Sequence, residues 1–321
     1  MKRWFKKSTN GETAEAQAPD VDGDGNGLST EEDENDLHLT HVGPYEILAP
    51  IGKGGMGTVY KALDRKSDQT VAIKVLHRHF DLIKKRRKKD FLGREILIAS
   101  KFRHENIIRL KEEIIEQEDS DGNVRRCLIM ELVDGHNLTK HIADRDLTIK
   151  QMVSLCIKLC HGLDFLHQSQ VIHRDFKPHN CLLSRDLTQI KICDFGLSKS
   201  TATWRTRRIK GGGGTPRYMS PEQLTKKEKV MDARSDIFSF GITMYELFTG
   251  EHPCNGKDSK EIKKQICSNR YKFKPPSELN PEIPARLDRI ILKCLRRRPD
   301  KRYQSVTELL LDLTRVGQSR I

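Results

Sequence analysis

The run Val171-Ile172-His173-Arg174-Asp175-Phe176-Lys177-Pro178-His179-Asn180, followed by Asp194-Phe195-Gly196, decides how this chain is read. Two segments upstream belong with it. Gly52-Lys53-Gly54-Gly55-Met56-Gly57-Thr58-Val59 lies between two β-type stretches, YEILAPIG and TVYKALD. Its glycines let a backbone lie close over phosphate groups without Cβ clashes. Alone, such a spacing also marks ordinary glycine turns and dinucleotide sites. The dinucleotide reading needs a helix directly after the glycines; the β-type TVYKAL follows instead, so that reading fails. Ala72-Ile73-Lys74 falls on a third strand, TVAIKVL, where a lysine among buried residues is costly unless paired. Glu95, in the apolar run FLGREILIA of a basic amphipathic helix at 84–101, is its candidate partner.

Residues 107–115 and 124–131 read as a hairpin turned at Asp121-Gly122. Strand signals then give way to helical periodicity. In 148–168, Ile149, Met152, Val153, Cys156, Leu159, Cys160, Leu163 and Leu166 recur at helical spacing, and similar patterns occupy 233–249, 285–296 and 304–314. A strand-rich first third before a helix-rich remainder predicts an α+β fold of two lobes.

In this order and spacing the motifs resemble the eukaryotic-like protein kinases, and GKGGMGTVYKA is most similar to their bacterial serine/threonine branch. The resemblance covers about residues 45–314. It implies a bilobal protein-kinase fold, with a strand-rich N-lobe over 44–134 and a helical C-lobe over 135–321. It also implies transfer of the γ-phosphoryl group of ATP to protein Ser/Thr hydroxyls, with Mg²⁺ as the ion and Mn²⁺ as an alternative. Carried over residue by residue, Gly52, Gly54 and Gly57 would cover the phosphates, and Lys74, paired with Glu95, would contact the α/β-phosphates. Asp175 would accept or orient the substrate hydroxyl proton, Lys177 would neutralise charge at the γ-phosphate, and Asn180 and Asp194 would hold Mg²⁺. Adenine would lie among Ile51, Val59, Ala72 and Leu182, with Met130 as gatekeeper and the backbone of Glu131 and Val133 as hinge. Asp134 and Asn137 are weaker candidates for ribose. Cys193 would face the nucleotide pocket as a small packed apolar residue.

Lys177 and Gly214-Thr215-Pro216-Arg217-Tyr218-Met219-Ser220-Pro221-Glu222 resemble serine/threonine rather than tyrosine kinases. By the same resemblance, Asp236 would hold the catalytic loop's backbone and Arg302 would pair with Glu222. A catalytically dead scaffold is the competing class, but Lys74, Glu95, Asp175, Asn180 and Asp194 all stand. A small-molecule kinase is disfavoured by the complete segment through Pro221-Glu222. Between Asp194 and Glu222, Thr206 is the first candidate for autophosphorylation and Thr203 or Thr201 the next, Arg174 being the residue such a phosphate would engage. A transient dimer would allow that reaction in trans.

The composition fits this reading. The chain has 321 residues, 58 Lys+Arg against 45 Asp+Glu and 36% apolar residues, enough for a core of two lobes and too many for a disordered chain. No apolar run reaches the ~18 residues of a membrane-spanning helix. The start has no secretory pattern, and the eight scattered cysteines read as reduced thiols, so a cytoplasmic location is expected. Charge divides at residue 43: residues 1–43 hold 4 basic and 10 acidic side chains, the remainder 54 and 35. The first segment reads as an acidic disordered tail. Within it, Asp22 to Asp33 begins like a calcium loop but loses the pattern, so a solvated tail is favoured over a Ca²⁺ site. The Lys84–Lys89 run reads as a solvated helical face, on which the tail could dock. With 6% aromatics and no recognition module, no nucleic-acid partner is expected.

Overall fold

The computed structural model describes residues 39–54, 56–77, 96–119, 122–195, 216–225 and 231–318. The acidic tail with its calcium-loop-like segment, the Lys84–Lys89 run, Glu95 and residues 196–215 lie outside the described residues.

Six antiparallel strands make the first lobe: β1 (His41–Val42), β2 (Tyr45–Gly54), β3 (Gly57–Asp64), β4 (Gln69–Leu76), β5 (Leu110–Glu118) and β6 (Val124–Glu131), ordered β1-β2-β3-β4-β6-β5. The near-continuous apolar run of β4 suits its central position, covered on both faces. Ile73 and Val75 pack with Tyr45, Tyr60 and Ile129 on one face, while Ala72 and Leu76 join Leu128 and Met130 in the larger core. That alternation puts Lys74 on the Ala72 face, toward the second lobe, and leaves it only 5% exposed.

β1 corrects the domain edge drawn at residue 43. Val42 pairs with Tyr45 and is fully buried, so the boundary falls inside a hairpin. Composition cannot register a two-residue strand that a tight turn holds in place.

The second lobe is helical: α1 (Leu138–Asp144), α2 (Ile149–Gln168), α3 (Pro221–Leu224), α4 (Arg234–Thr249), α5 (Ser259–Cys267), α6 (Ala285–Cys294) and α7 (Val306–Gly317). α2 starts where Thr148 and Gln151 form a reciprocal capping box. α4 is buried on every side from Ser235 to Thr249, as expected of a helix through the middle of a lobe, and it stops at left-handed Gly250. A small sheet is interleaved with the first helices, β7 (Gly135–Asn137) preceding α1 and β8 (Cys181–Ser184) and β9 (Ile190–Ile192) following α2, and it carries the loops of the candidate site. Its short strands have no readable periodicity and were not anticipated; nor were α1 and α5. The hairpin begins at Leu110 rather than 107, because residues 106–108 bond to β9 instead.

No helix among the described residues is long and apolar enough to cross a membrane. All eight cysteines are unpaired, six of them buried.

Candidate active site

Two loops at the ends of the small sheet carry the charged residues, and backbone bonds fix both. Loop 171–180 leads into β8. The chain leaving β9 reaches Asp194 after Cys193, whose N–H donates to Asn180 O at 2.9 Å. β9 is itself tied down: Ile192 donates to Asn106 O, Ile108 donates to Ile192 O, and the Asn106 amide donates to Ile190 O, at 2.9–3.0 Å.

Asp194 takes a left-handed backbone, φ +59°, and so does Arg174, φ +66°. Non-glycine residues held this way cluster where a fold must aim a side chain. The Asp194 carboxylate accepts both its ion-pair contacts from Lys74 Nζ, at 2.6 and 2.7 Å. Burial alone would raise the Asp194 carboxyl, but the Lys74 ammonium, with smaller help from His173 and Lys177, holds it below its ordinary value. Lys74 is thus paired as its burial demands, with Asp194; Glu95 lies outside the described residues.

In the neighbouring loop, Lys177 Nζ stands 3.2 Å from Asp175 Oδ2. Asn180 donates from its amide to Asp175 O at 2.8 Å and to Asp175 Oδ2 at 3.5 Å. A donating amide nitrogen turns the Asn180 oxygen away from Asp175. The two carboxylates, that amide oxygen and the two lysines therefore form one polar cluster around the loop junction.

The loop is held from below by α4. Asp236, fully buried, accepts from the N–H groups of His173 and Arg174 and pairs with His167 Nε2, all at 2.8 Å. Burial raises its carboxyl, but the His167 hydrogen bond and the charges of both histidines outweigh it and the group titrates low. His173 Nε2 contacts Cys193 O at 3.0 Å, joining the two loops. From the other side, Gln223 donates to Arg174 O at 2.8 Å, while its side-chain oxygen accepts from Ser220 N.

Below Gln223 lies Glu222, whose carboxylate takes Nη1 and Nη2 of Arg302 at 2.7 and 2.8 Å. Burial raises this carboxyl too, and Arg302 more than offsets it, so it also titrates low. The remaining Arg302 donors go to the carbonyls of Arg296, Arg234 and Arg297.

The glycines of the β2–β3 turn divide into two kinds. A Cβ on Gly57 would meet Val75 O at 2.1 Å, so this glycine is required by strand packing. A Cβ on Gly52 would meet nothing within 4 Å. Ile51 beside it is half exposed, while Val59 and Leu182 are half buried against the core. Met130 faces Ala72 across the β4–β6 ladder. Glu131 N–H is already spent on Arg109 O, and its carboxylate pairs with Lys191 at 3.0 Å. Of the two weaker candidates, Asn137 caps α1 and Asp134 pairs with exposed Arg185. Burial pushes the Cys193 thiol well up, keeping it protonated.

Sequence reasoning missed His167, Gln223 and Asn106. Gln223 was legible in Ser220-x-x-Gln223, a capping-box spacing. His167 and Asn106 carry no local signal, since their partners lie 69 and 84 residues away.

A family model described as a protein kinase domain matches residues 45–312. Over 285 residues the chain is 33% identical to a probable serine/threonine-protein kinase of Clostridium acetobutylicum, covering 86% of this chain and 40% of that one. The chain spans about two fifths of the length of the curated relatives it matches. The crystal structure of the Mycobacterium tuberculosis PknI kinase domain aligns with a TM-score of 0.63 at 24% identity, over 86% of this chain and 97% of that one. A structure of Rad53 in complex with AMP-PNP aligns with a TM-score of 0.66 at 25% identity, over 83% and 64%.

Proposed function

This chain belongs to the protein kinase family, in its bacterial serine/threonine branch, and on that premise we propose that it transfers the γ-phosphoryl group of ATP to serine and threonine hydroxyls of proteins. The observation that carries the reading is the joining of two ion pairs, Lys74–Asp194 and Lys177–Asp175, by the backbone bond from Cys193 to Asn180.

The donor set fits a magnesium nucleotide. Mg²⁺ prefers oxygen ligands and is held by one or two carboxylates plus substrate phosphates, keeping several waters. Asp194 and the Asn180 amide oxygen offer such a set, and no cluster of three His, Cys, Asp or Glu among the described residues competes with it. Open space over Gly52 leaves room for phosphates, and the structural neighbour in complex with AMP-PNP supports nucleotide binding. When bound, Mg²⁺–ATP supplies the transferable phosphoryl group and most of the local charge neutralisation.

In this proposal Lys74 would hold the α/β-phosphates, and Asp194, which accepts from Lys74 through both oxygens, would with Asn180 hold the Mg²⁺ that neutralises phosphate charge. Asp175 orients the substrate hydroxyl and takes its proton. Lys177, 3.2 Å from Asp175, stabilises charge on the transferring oxygens. Phosphoryl transfer spreads negative charge and asks mainly for positioning and electrostatic stabilisation. Ile51, Val59, Ala72, Met130 and Leu182 wall the adenine, with the Glu131 carbonyl and Val133 backbone as its hydrogen-bonding edge. Asp236 and Gln223 are positioning residues.

The test is γ-labelled ATP with a mixed protein substrate, followed by phosphoamino-acid analysis. Mg²⁺-dependent label on serine and threonine is expected; label only on tyrosine, or none, overturns the reading. Autophosphorylation, at Thr206 before Thr203 or Thr201, is the finer proposal. Intact mass after incubation with Mg²⁺–ATP should rise by whole phosphates, and an active preparation with unchanged mass refutes it.

A further inference from the structure

A concavity with one sign of charge lies away from the site, where the end of α5, residues 268–273 and the segment after α6 meet. It is a cavity of about 310 Å³ lined by Lys272, Arg296, Arg297, Arg298 and Lys301, and no carboxylate lines it. Leu292, Leu295 and Phe273 supply its apolar part.

Arg297 is built into the wall. Its Nε donates to Ile266 O at 2.9 Å, and its Nη2 donates to Gln265 O and Tyr271 O at 3.0 and 2.8 Å. The guanidinium thus closes the carbonyl end of α5, where positive charge is favoured. All three acceptors are neutral carbonyls. Nη1 has no hydrogen-bond partner among the described residues, and burial pushes the group down from its ordinary value without a carboxylate to offset it. At the mouth, Lys272, Arg296 and Lys301 are exposed and form no ion pair among the described residues; Arg298 pairs with Asp300 at 2.9 Å, and the same carboxylate feels the Lys301 charge.

We propose that this cavity is a docking site for a phosphorylated serine or threonine side chain in an acidic peptide. Three mouth cations without an ion pair among the described residues, around a fixed guanidinium bonded only to neutral carbonyls there, exceed what one carboxylate would satisfy. A phosphate, with a charge of about −1.5 to −2 and three strong acceptor oxygens, matches them. The apolar wall suits the side chain's aliphatic stem. The observations favour a peptide over a nucleic acid, because bases bind by stacking on free aromatic faces. Phe273, the one aromatic here, is already covered by the Arg297 guanidinium at 4.6 Å and by the edge of Tyr271 at 5.8 Å.

The site does not depend on phosphoryl transfer by this chain, so its test uses binding alone. Fluorescence anisotropy of the full chain, without nucleotide, compares a labelled acidic peptide bearing one phosphothreonine, the same peptide with threonine, and a single-stranded RNA of equal length. The double variant Lys272→Ala/Arg296→Ala removes exposed mouth charges whose side chains form no hydrogen bond or ion pair among the described residues, so folding should be preserved. The expected result is at least tenfold weaker binding both for the unphosphorylated peptide and for the variant with the phosphopeptide. Phosphopeptide binding unchanged in the variant, equal affinity for the two peptides, or RNA displacing the phosphopeptide at lower concentration would each overturn the proposal. Failure here leaves the transfer assay above untouched.

Discussion

Two buried or half-buried ion pairs, Arg302–Glu222 and Lys74–Asp194, use similar chemistry to opposite ends. Arg302 is fully buried and spends all five donors, two on Glu222 and three on carbonyls, with Phe238 against its guanidinium at 4.9 Å. Nothing is left over, and nothing can exchange. Lys74 gives its contacts to one carboxylate that is 26% exposed, on a residue with a left-handed backbone, within the field of a second lysine. That pair can trade partners. A saturated pair is a clamp; an unsaturated one partly open to solvent is a candidate site.

The comparison breaks first at Arg302. Arg302→Ala strands a buried carboxylate and should cost about 3–5 kcal/mol, read as a large fall in melting temperature and soluble yield. Lysine-to-alanine changes at Lys84–Lys89 should stay within about 0.5 kcal/mol. Equal melting of the two sets would contradict the clamp.

The glycine turn gives the next contrast. Gly57→Ala forces a Cβ onto the Val75 carbonyl and should destabilise by about 1–3 kcal/mol, as overpacking does. Gly52→Ala has space, so its melting temperature should stay at wild type while the KM for ATP rises. A stability loss at Gly52, or none at Gly57, would reverse the assignment.

Acid unfolding sharpens the picture at smaller amplitude. The His252 ring is lowered to about 4 by burial; neutral, it donates from Nε2 to Arg217 O and accepts at Nδ1 from Cys254 N. The unfolded chain takes up that proton first, so stability should fall as pH drops from about 6.5 to about 4. Asp194, Glu222 and Asp236 also titrate low in the fold, so their contributions are complete above their ordinary values and fade as pH falls below those values. Melting curves should decline in two steps. His252→Gln should flatten the upper step and Glu222→Gln the lower, and a profile identical to wild type in both variants would refute it.

The polar cluster of the candidate site was legible because its residues stand in short runs. His173 to Asn180 is one loop, and Lys74 stands out as a cation in an apolar strand. What escaped reading has a common cause. β1 and β7 to β9 are two to four residues long, too short for a period. His167 and Asn106 act across the fold, and no local pattern announces a partner so far along the chain. Glu131 was read only for its backbone, whereas the fold spends its N–H and pairs its carboxylate with Lys191.

The central claim is that Asp175 sits where a hydroxyl is activated for transfer. It is tested most directly by the rate of phosphoryl transfer from Mg²⁺–ATP to a protein substrate, measured for wild type and Asp175→Asn at matched melting temperature. The account predicts a fall of about 10²–10⁴-fold. Equal rates would contradict it.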